Sequence, residues 1–98
     1  MNNTICEAIA SKNIVEFYYN GGIRIAEPHC YGIHKNTGNE VLCAYQIRGF
    51  SESGNLPGWR LFDVADVSAL KITGEQFLSP RPNYNPNDKR MSKIFCNI

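Results

Sequence analysis

The sequence lacks most of the patterns that assign a chain to a common class of protein. No apolar run approaches the roughly 20 residues that a helix needs to cross a bilayer. The first residues, Met-Asn-Asn-Thr, lack the basic and then apolar order of a signal peptide. We therefore expect a cytoplasmic protein that has no association with membranes.

The charge and size of the chain indicate a single folded domain without a strong electrostatic preference for nucleic acid or membranes. The chain has 98 residues and a net charge of +1, too little to hold it on nucleic acid or on a membrane by charge alone. Apolar residues at 43% and charged residues at 19% are typical of a folded protein. The length corresponds to one domain, residues 1–98.

No motif of a catalytic site is present. The chain has no P-loop, no glycine-rich dinucleotide loop and no nucleophile elbow. Catalysis would require Cys30 or Ser51 to meet His29 or His34, and sequence proximity alone does not make such a site. We expect a protein that is not an enzyme and that binds no cofactor.

Residues 27–46 contain both histidines and two of the four cysteines, a combination that raises the question of zinc. Zinc requires four ligands at about 2.0–2.3 Å. Neighbouring residues of a strand point to opposite faces, so His29 and Cys30 should diverge. No C-x-x-C or H-x-x-x-H pair occurs. We predict no metal site.

The cysteines are expected to be free thiols. Without an export signal, a reducing compartment is the simpler expectation, and disulfides are rare there. Cys6 and Cys43 lie in apolar segments, where cysteine behaves as a small hydrophobic residue. We place both in the core.

The pattern of apolar and turn residues predicts a mainly β domain with a short helix at each end. Residues 4–10 and 89–94 are the predicted helices. The five predicted strands are residues 14–19, 23–27, 40–47, 59–64 and 67–73. A sheet of this size tends to close into a small barrel, because closure removes unpaired edges. We expect the barrel at about 14–78 and a basic tail, residues 79–98, docked on it.

Three features in this order resemble the WYL domain family. They are a hairpin arginine before a proline (Arg24 and Pro28), the pattern Leu-x-Ala-Tyr at residues 42–45, and Trp-Arg-Leu-Phe at residues 59–62. The resemblance covers about residues 5–78. Glu-Val-Leu at residues 40–42 stands where the family has its Trp-Tyr-Leu signature, and Asp63 stands where a basic residue often follows.

The resemblance implies a fold and a function. WYL domains are similar to Sm- and SH3-like barrels, usually follow a helix-turn-helix domain, and are thought to sense a nucleotide or nucleic acid through a basic and aromatic groove. This chain has no room for a helix-turn-helix, so it would be a stand-alone version. We expect a module that binds a nucleotide or single-stranded nucleic acid in a bacterial regulatory or defence context.

Five residues are the candidates for that ligand. Arg24, Arg48 and Arg60 are expected to contact phosphate, since a guanidinium forks two hydrogen bonds to it. Tyr45 and Trp59 are expected to stack on bases. The alternative is that the arginines are solvated charges and the aromatic rings belong to the core.

A protein-interaction module, forming a homodimer or binding another protein, is the second function class. Small barrels join through exposed strand edges. The loop at residues 49–58 carries Phe50 and Leu56 among polar residues, which suits a contact patch.

Overall fold

The computed structural model describes all 98 residues as one antiparallel sheet with a single α-helix. The elements in chain order are α1 (Asn3–Ser11), β1 (Asn13–Tyr19), β2 (Gly22–His34), β3 (Glu40–Gly49), β4 (Gly58–Asp63), a 3-10 turn (Val64–Asp66), β5 (Ser68–Gln76) and β6 (Met91–Asn97). The mainly β prediction is confirmed. Neither helical element has the length and apolar character that crossing a membrane requires.

Strand β2 organises the sheet. The ladder runs β4-β3-β2-β1-β5, and β6 also pairs with β2. Strand β3 follows one edge of β2, while β1 and β6 share its other edge, β1 near Ile23 and β6 near Tyr31. The pairing with β3 shifts register twice, between Ile25 and Ala26 and between Pro28 and Cys30. Such bulges bend a strand and increase its twist.

The sheet curls strongly but stays open along its hydrogen-bond path. Phe17 of β1 meets Phe62 of β4 with ring centroids 4.9 Å apart, although β2 and β3 lie between them in the ladder. The two end strands, β4 and β5, do not pair with each other. One hydrogen bond spans the curl, from the Asp63 N–H to the hydroxyl of Tyr19 at 3.1 Å.

Helix α1 forms where the sequence predicts it and packs on one face of the sheet. The side chain of Asn2 caps it by accepting a hydrogen bond from the Ile5 N–H at 3.1 Å. Ile5, Ala8 and Ile9 are buried against the sheet. We call this side the helix face; it holds the larger core cluster, which includes Phe17, Leu42 and Phe62.

The predicted C-terminal helix is wrong, because residues 91–97 form a sixth strand. Asp88 caps only a turn, in which its carboxylate accepts a hydrogen bond from the Arg90 N–H at 3.0 Å. The chain then pairs with the free edge of β2, where Ile94 lies opposite Gly32. Pairing with a distant strand outweighs the weak local preference for helix, which no short window of sequence reveals.

The prediction of four free thiols is also wrong. Cys6 of α1 and Cys96 of β6 form a disulfide with their Cα atoms 5.6 Å apart, while Cys30 and Cys43 are free and buried. The sheet brings α1 beside β6, although 90 positions separate the two cysteines. Sequence spacing gives no information about such a pairing.

The segment after β5 covers the opposite side of the sheet, which we call the tail face. A second core cluster lies there, made of Cys30, Val41, Cys43 and Met91. Trp59, Leu61, Tyr84 and Ile94 pack against it. The two faces are therefore covered by different ends of the chain.

Candidate functional site

The five predicted ligand residues divide between the two faces of the sheet. Arg60 lies opposite Ala44 of the helix face, whereas Trp59 lies opposite Tyr45 of the tail face. Successive residues of a strand alternate in direction, so Trp59 and Arg60 diverge. Arg24 joins Arg60 at one cleft. Arg48 lies apart, 3.5 Å from Glu75, and about half of its side chain is exposed.

The cleft that holds Arg24 and Arg60, which we call the arginine cleft, is a cavity of about 230 Å³. It is lined by the β1–β2 turn, the loop before β4 and the two arginines: Tyr19, Asn20, Arg24, Ser51, Glu52, Ser53 and Arg60. Its wall thus combines two guanidinium groups with two serine hydroxyls, and these are the donors that commonly hold phosphate.

Arg24 is buried, with 5% of its surface exposed, yet it forms no ion pair with a carboxylate. Its Nε and Nη2 donate to the carbonyl of Tyr19 at 3.2 and 2.9 Å, and Nη2 also donates to the carbonyl of Asn20 at 3.3 Å. The guanidinium carbon lies 5.3 Å from the ring centre of Tyr19 and 5.1 Å from that of Phe50. These contacts brace the hairpin turn and leave Nη1 without a partner in the protein.

Arg60 fixes the loop that forms the other wall of the cleft. Its Nη2 donates to the carbonyl of Asn55 at 2.6 Å and to the Ser51 hydroxyl at 3.2 Å, and its Nη1 donates to the carbonyl of Trp59 at 2.9 Å. The amide of Gln46 donates to the carbonyl of Phe50 at 2.8 Å and so holds the start of the loop. The Nε of Arg60 has no partner in the protein.

Tyr45 and Trp59 are half-buried and are contacted by the tail, residues 79–98. Their rings pack edge to face with centroids 5.4 Å apart, and the ring of Tyr84 stacks on Trp59 at 6.0 Å. The Trp59 Nε1–H donates to the carbonyl of Pro82 at 3.0 Å. The guanidinium of Arg81 lies 4.8 Å from the ring centre of Tyr45. Both predicted stacking rings therefore have partners within the chain.

His29 is the centre of the aromatic cluster under the tail. The sequence did not predict this role for it. Its Nδ1 lies 2.8 Å from the carbonyl of Glu27, and its Nε2 accepts from the Arg81 N–H at 3.1 Å. The rings of Trp59, Phe77 and Tyr84 surround the imidazole at 4.7–5.3 Å between centroids. Burial lowers the pKa of His29 below its ordinary value and so favours the neutral ring. The two contacts fit a neutral imidazole that carries its proton on Nδ1.

The expectation that His29 and Cys30 diverge is wrong. The register shift between Pro28 and Cys30 inserts an extra residue into β2, and such a bulge turns two successive side chains to one face. His29 packs against Trp59 and Cys30 belongs to the tail-face cluster. The sequence signal that could have indicated the bulge is Pro28, which has no N–H to give to a ladder.

An ion pair between buried Glu27 and partly exposed Arg81 holds the tail next to His29. The carboxylate of Glu27, with 3% of its side chain exposed, accepts from Arg81 Nε at 2.6 Å and from Nη2 at 2.8 Å. The hydrogen bonds to Glu27 raise the pKa of the Arg81 guanidinium. Because two of its nitrogens bind Glu27, the Arg81 guanidinium stabilises the position of the tail.

A second cavity of about 210 Å³ lies between β4 and the tail. Cys43, Trp59, Tyr84, Asp88 and Arg90 are among its lining residues. Arg90 forms a tight pair with Asp88, which lowers the pKa of that carboxyl, and burial raises the pKa of the Cys43 thiol. No group of three or more His, Cys, Asp or Glu side chains is placed to hold a metal ion.

Comparison with known proteins identifies no relative. No family model matches the chain, and neither a curated protein nor a solved structure is significantly similar to it.

Proposed function

We propose that the protein binds a phosphate-bearing ligand of the nucleotide class in the arginine cleft. The observation that carries this proposal is a buried guanidinium, that of Arg24, which has no carboxylate partner and shares a cavity with Arg60. Buried charges are normally paired, and an anion would supply the missing partner. The volume of about 230 Å³ suits a phosphoryl group and part of a sugar.

The proposal modifies the ligand set expected from the sequence. Arg24 and Arg60 remain the phosphate contacts, together with the hydroxyls of Ser51 and Ser53. The ring next to the cleft is Phe50, which is 43% exposed and lies beside Arg24. A base would stack on this ring, because the rings on the tail face are already packed.

Titration of nucleoside mono- and triphosphates at low salt tests the proposal, with a short labelled oligonucleotide as a second arm. Arg60→Gln is expected to weaken nucleotide binding roughly 10- to 100-fold, the effect of losing a charged hydrogen bond. Lys35→Gln, an equal change of charge at an exposed turn, is the matched control and should leave affinity unchanged. The proposal fails if no nucleotide binds below about 1 mM, the weak end of the affinity scale, or if both variants behave alike.

We further propose that the chain is a stand-alone WYL-like domain whose sheet is an opened form of the Sm/SH3-like barrel. The contact of Phe17 with Phe62 and the bridge from Asp63 to Tyr19 support this, because they bring β4, one end strand of the sheet path, against β1, which adjoins the other end strand. The bacterial regulatory or defence context follows from that likeness alone.

The cytoplasmic location remains a proposal, and the Cys6–Cys96 bond favours an oxidising compartment instead. Trapping of thiols by lysing cells directly into denaturant with an alkylating reagent distinguishes the two: two labelled cysteines per chain indicate that the bond forms in the cell, and four indicate that it does not.

Assembly through strand edges is the second candidate function. The open path leaves the outer edges of β4 and β5 without a ladder partner, and unpaired edges are templates for pairing with another chain. Light scattering across a range of concentrations tests it. A dimer that persists on dilution and binds no nucleotide would favour assembly over ligand binding.

A further inference from the structure

The tail face contains a concentration of sulfur that neither proposed function uses. Three of the four residues in its buried cluster are Cys30, Cys43 and Met91, with Val41 as the fourth. They come from three adjacent strands, β2, β3 and β6. Thiolates and thioethers together are the ligands that select soft monovalent ions, Cu(I) above all.

The backbone brings the two thiols together. Cys30 and Cys43 are direct partners on the antiparallel strands β2 and β3. Side chains in that relation have Cβ atoms about 4.5–5.5 Å apart. Both belong to the same buried cluster, so their side chains lie on the same face. Two sulfurs carried on Cβ atoms at that spacing can share one ion.

Met91 supplies the third sulfur. Its Sδ lies 3.5 Å from the Sγ of Cys30. Gly32 allows β6 to approach this closely, since an added Cβ there would clash with the carbonyl oxygen of Lys93 and would lie 3.0 Å from the same Sδ. A trigonal ion with metal–sulfur bonds of about 2.3 Å separates its sulfurs by about 4 Å, close to the 3.5 Å between the sulfurs of Cys30 and Met91.

Charge and access also suit a cation held by two thiolates. Arg90 Nη2 lies 3.7 Å from the Sγ of Cys43, and Asp88 fixes the position of that guanidinium. Two thiolates and a monovalent ion carry one net negative charge, which the guanidinium faces. Cys43 and Arg90 line the cavity of about 210 Å³, which gives an ion a path from solvent.

We propose that Cys30, Cys43 and Met91 bind one Cu(I) ion in a three-sulfur site between β2, β3 and β6. Each thiol loses its proton to solvent as the ion binds, and no electron is transferred. His29 is not a ligand, since its two nitrogens are engaged by Glu27 and Arg81. Zinc is disfavoured by the lack of a fourth ligand and by the neutral thioether.

The test is an anaerobic titration of the disulfide-intact protein with Cu(I) in competition with the chelator bicinchoninate. We expect one Cu(I) per chain to be withheld from the chelator, with a thiolate-to-copper band in the near ultraviolet. X-ray absorption at the copper edge should show a shell of sulfur only, three-coordinate. A shell that contains nitrogen, or one ion shared between two chains, would overturn the proposal.

Variants assign the ligands. Cys43→Ser is expected to weaken Cu(I) binding by about 100-fold and Met91→Leu by about 10-fold, while the double variant Cys6→Ala/Cys96→Ala should still bind one ion. The absorption spectrum of the wild-type protein remains decisive if a variant fails to fold. Thiol counting on protein purified without oxidant gives a further check. No free thiols would mean that Cys30 and Cys43 form a second disulfide, and the proposal would then be wrong.

Discussion

Arg81 holds the carboxylate of Glu27 with two hydrogen bonds, of 2.6 and 2.8 Å, across 54 positions of the chain. The two partners differ in exposure, since 3% of the Glu27 side chain and 41% of the Arg81 side chain are accessible to solvent. The pair fastens the tail over His29, Trp59 and Tyr45. Removal of Glu27 and removal of Arg81 should therefore lower the free energy of unfolding by different amounts.

Arg81→Met is expected to lower the free energy of unfolding by about 2–4 kcal/mol, because it leaves a carboxylate buried without a partner. Glu27→Gln should cost less, roughly 1–2 kcal/mol, since the guanidinium of Arg81 reaches water. Urea denaturation of both variants and of the double variant measures the difference. Equal losses for the two single variants would show that burial of Glu27 is not the cause.

Stability should fall as the pH drops below the ordinary pKa of histidine, because His29 is neutral in the fold. Burial lowers its pKa in the folded state, so below about pH 6.5 the unfolded chain binds more protons than the folded one. The stability contributed by His29 is thus present above that pH and is lost as the pH falls towards the lowered pKa. Protonated Nε2 would also face the Arg81 N–H, donor against donor.

Urea midpoints at about pH 7.5 and about pH 5.5, which lie on either side of the ordinary pKa of histidine, measure this loss. The wild type should lose stability between them, and His29→Gln should lose clearly less. If His29→Gln loses as much stability as the wild type between these pH values, groups other than His29 cause the loss. His34→Gln, which removes the half-buried histidine at the end of β2, is the control for the loss of a histidine outside the aromatic cluster.

The local parts of this fold were predictable, and the non-local parts were not. The turn at residues 20–21 and the helix at residues 3–11 are encoded by short-range chemistry, an Asn-Gly pair and an asparagine cap. Residues 89–94 were misread as helix, because their partner is β2, more than 50 positions earlier. The bulge after Pro28 and the Cys6–Cys96 bond depend on the same distant pairings.

The candidate site shows the same division. Trp59 and Arg60 are neighbours in a predicted strand, so the sequence predicts that their side chains point to opposite faces of the sheet. The proposed stacking ring and the proposed phosphate contact therefore cannot share one face. What the sequence did not reveal is which arginine is buried. Arg24 is buried in part by Phe50, which lies in a loop 26 positions later in the chain. Arg48 lies outside the cleft and pairs with Glu75.

Tyr31 should limit stability at high pH. Its hydroxyl donates to the carboxylate of Glu40 and accepts from the Asn2 N–H at 2.7 Å. Burial and the hydrogen bond to Glu40 raise the pKa of Tyr31 to about 12. The folded state therefore keeps a proton that the unfolded chain releases near pH 10, and the stability is lost as the pH rises from about 10 to 12.

Tyr31→Phe is expected to lower stability at neutral pH by about 1–2 kcal/mol, because it removes a buried hydrogen bond, and to make the alkaline loss shallower. Urea midpoints at about pH 7.5 and about pH 10.5 measure both effects. Tyr18→Phe is the matched control, since that ring is 45% exposed and makes no side-chain hydrogen bond. If Tyr31→Phe loses as much stability as the wild type between these pH values, Tyr31 is not the source of the alkaline loss.

Reduction of the Cys6–Cys96 bond should cost roughly 2–4 kcal/mol of stability, because the bond closes almost the whole chain into a loop and so restricts the unfolded state. Thermal and urea unfolding with and without a reductant measure this loss. Cys6→Ser/Cys96→Ser should match the reduced wild type and be insensitive to reductant, since Cys30 and Cys43 are thiols in either condition. A wild type whose unfolding is unchanged although four thiols titrate would mean that α1 and β6 are held by packing on the helix face, with the covalent bond adding nothing.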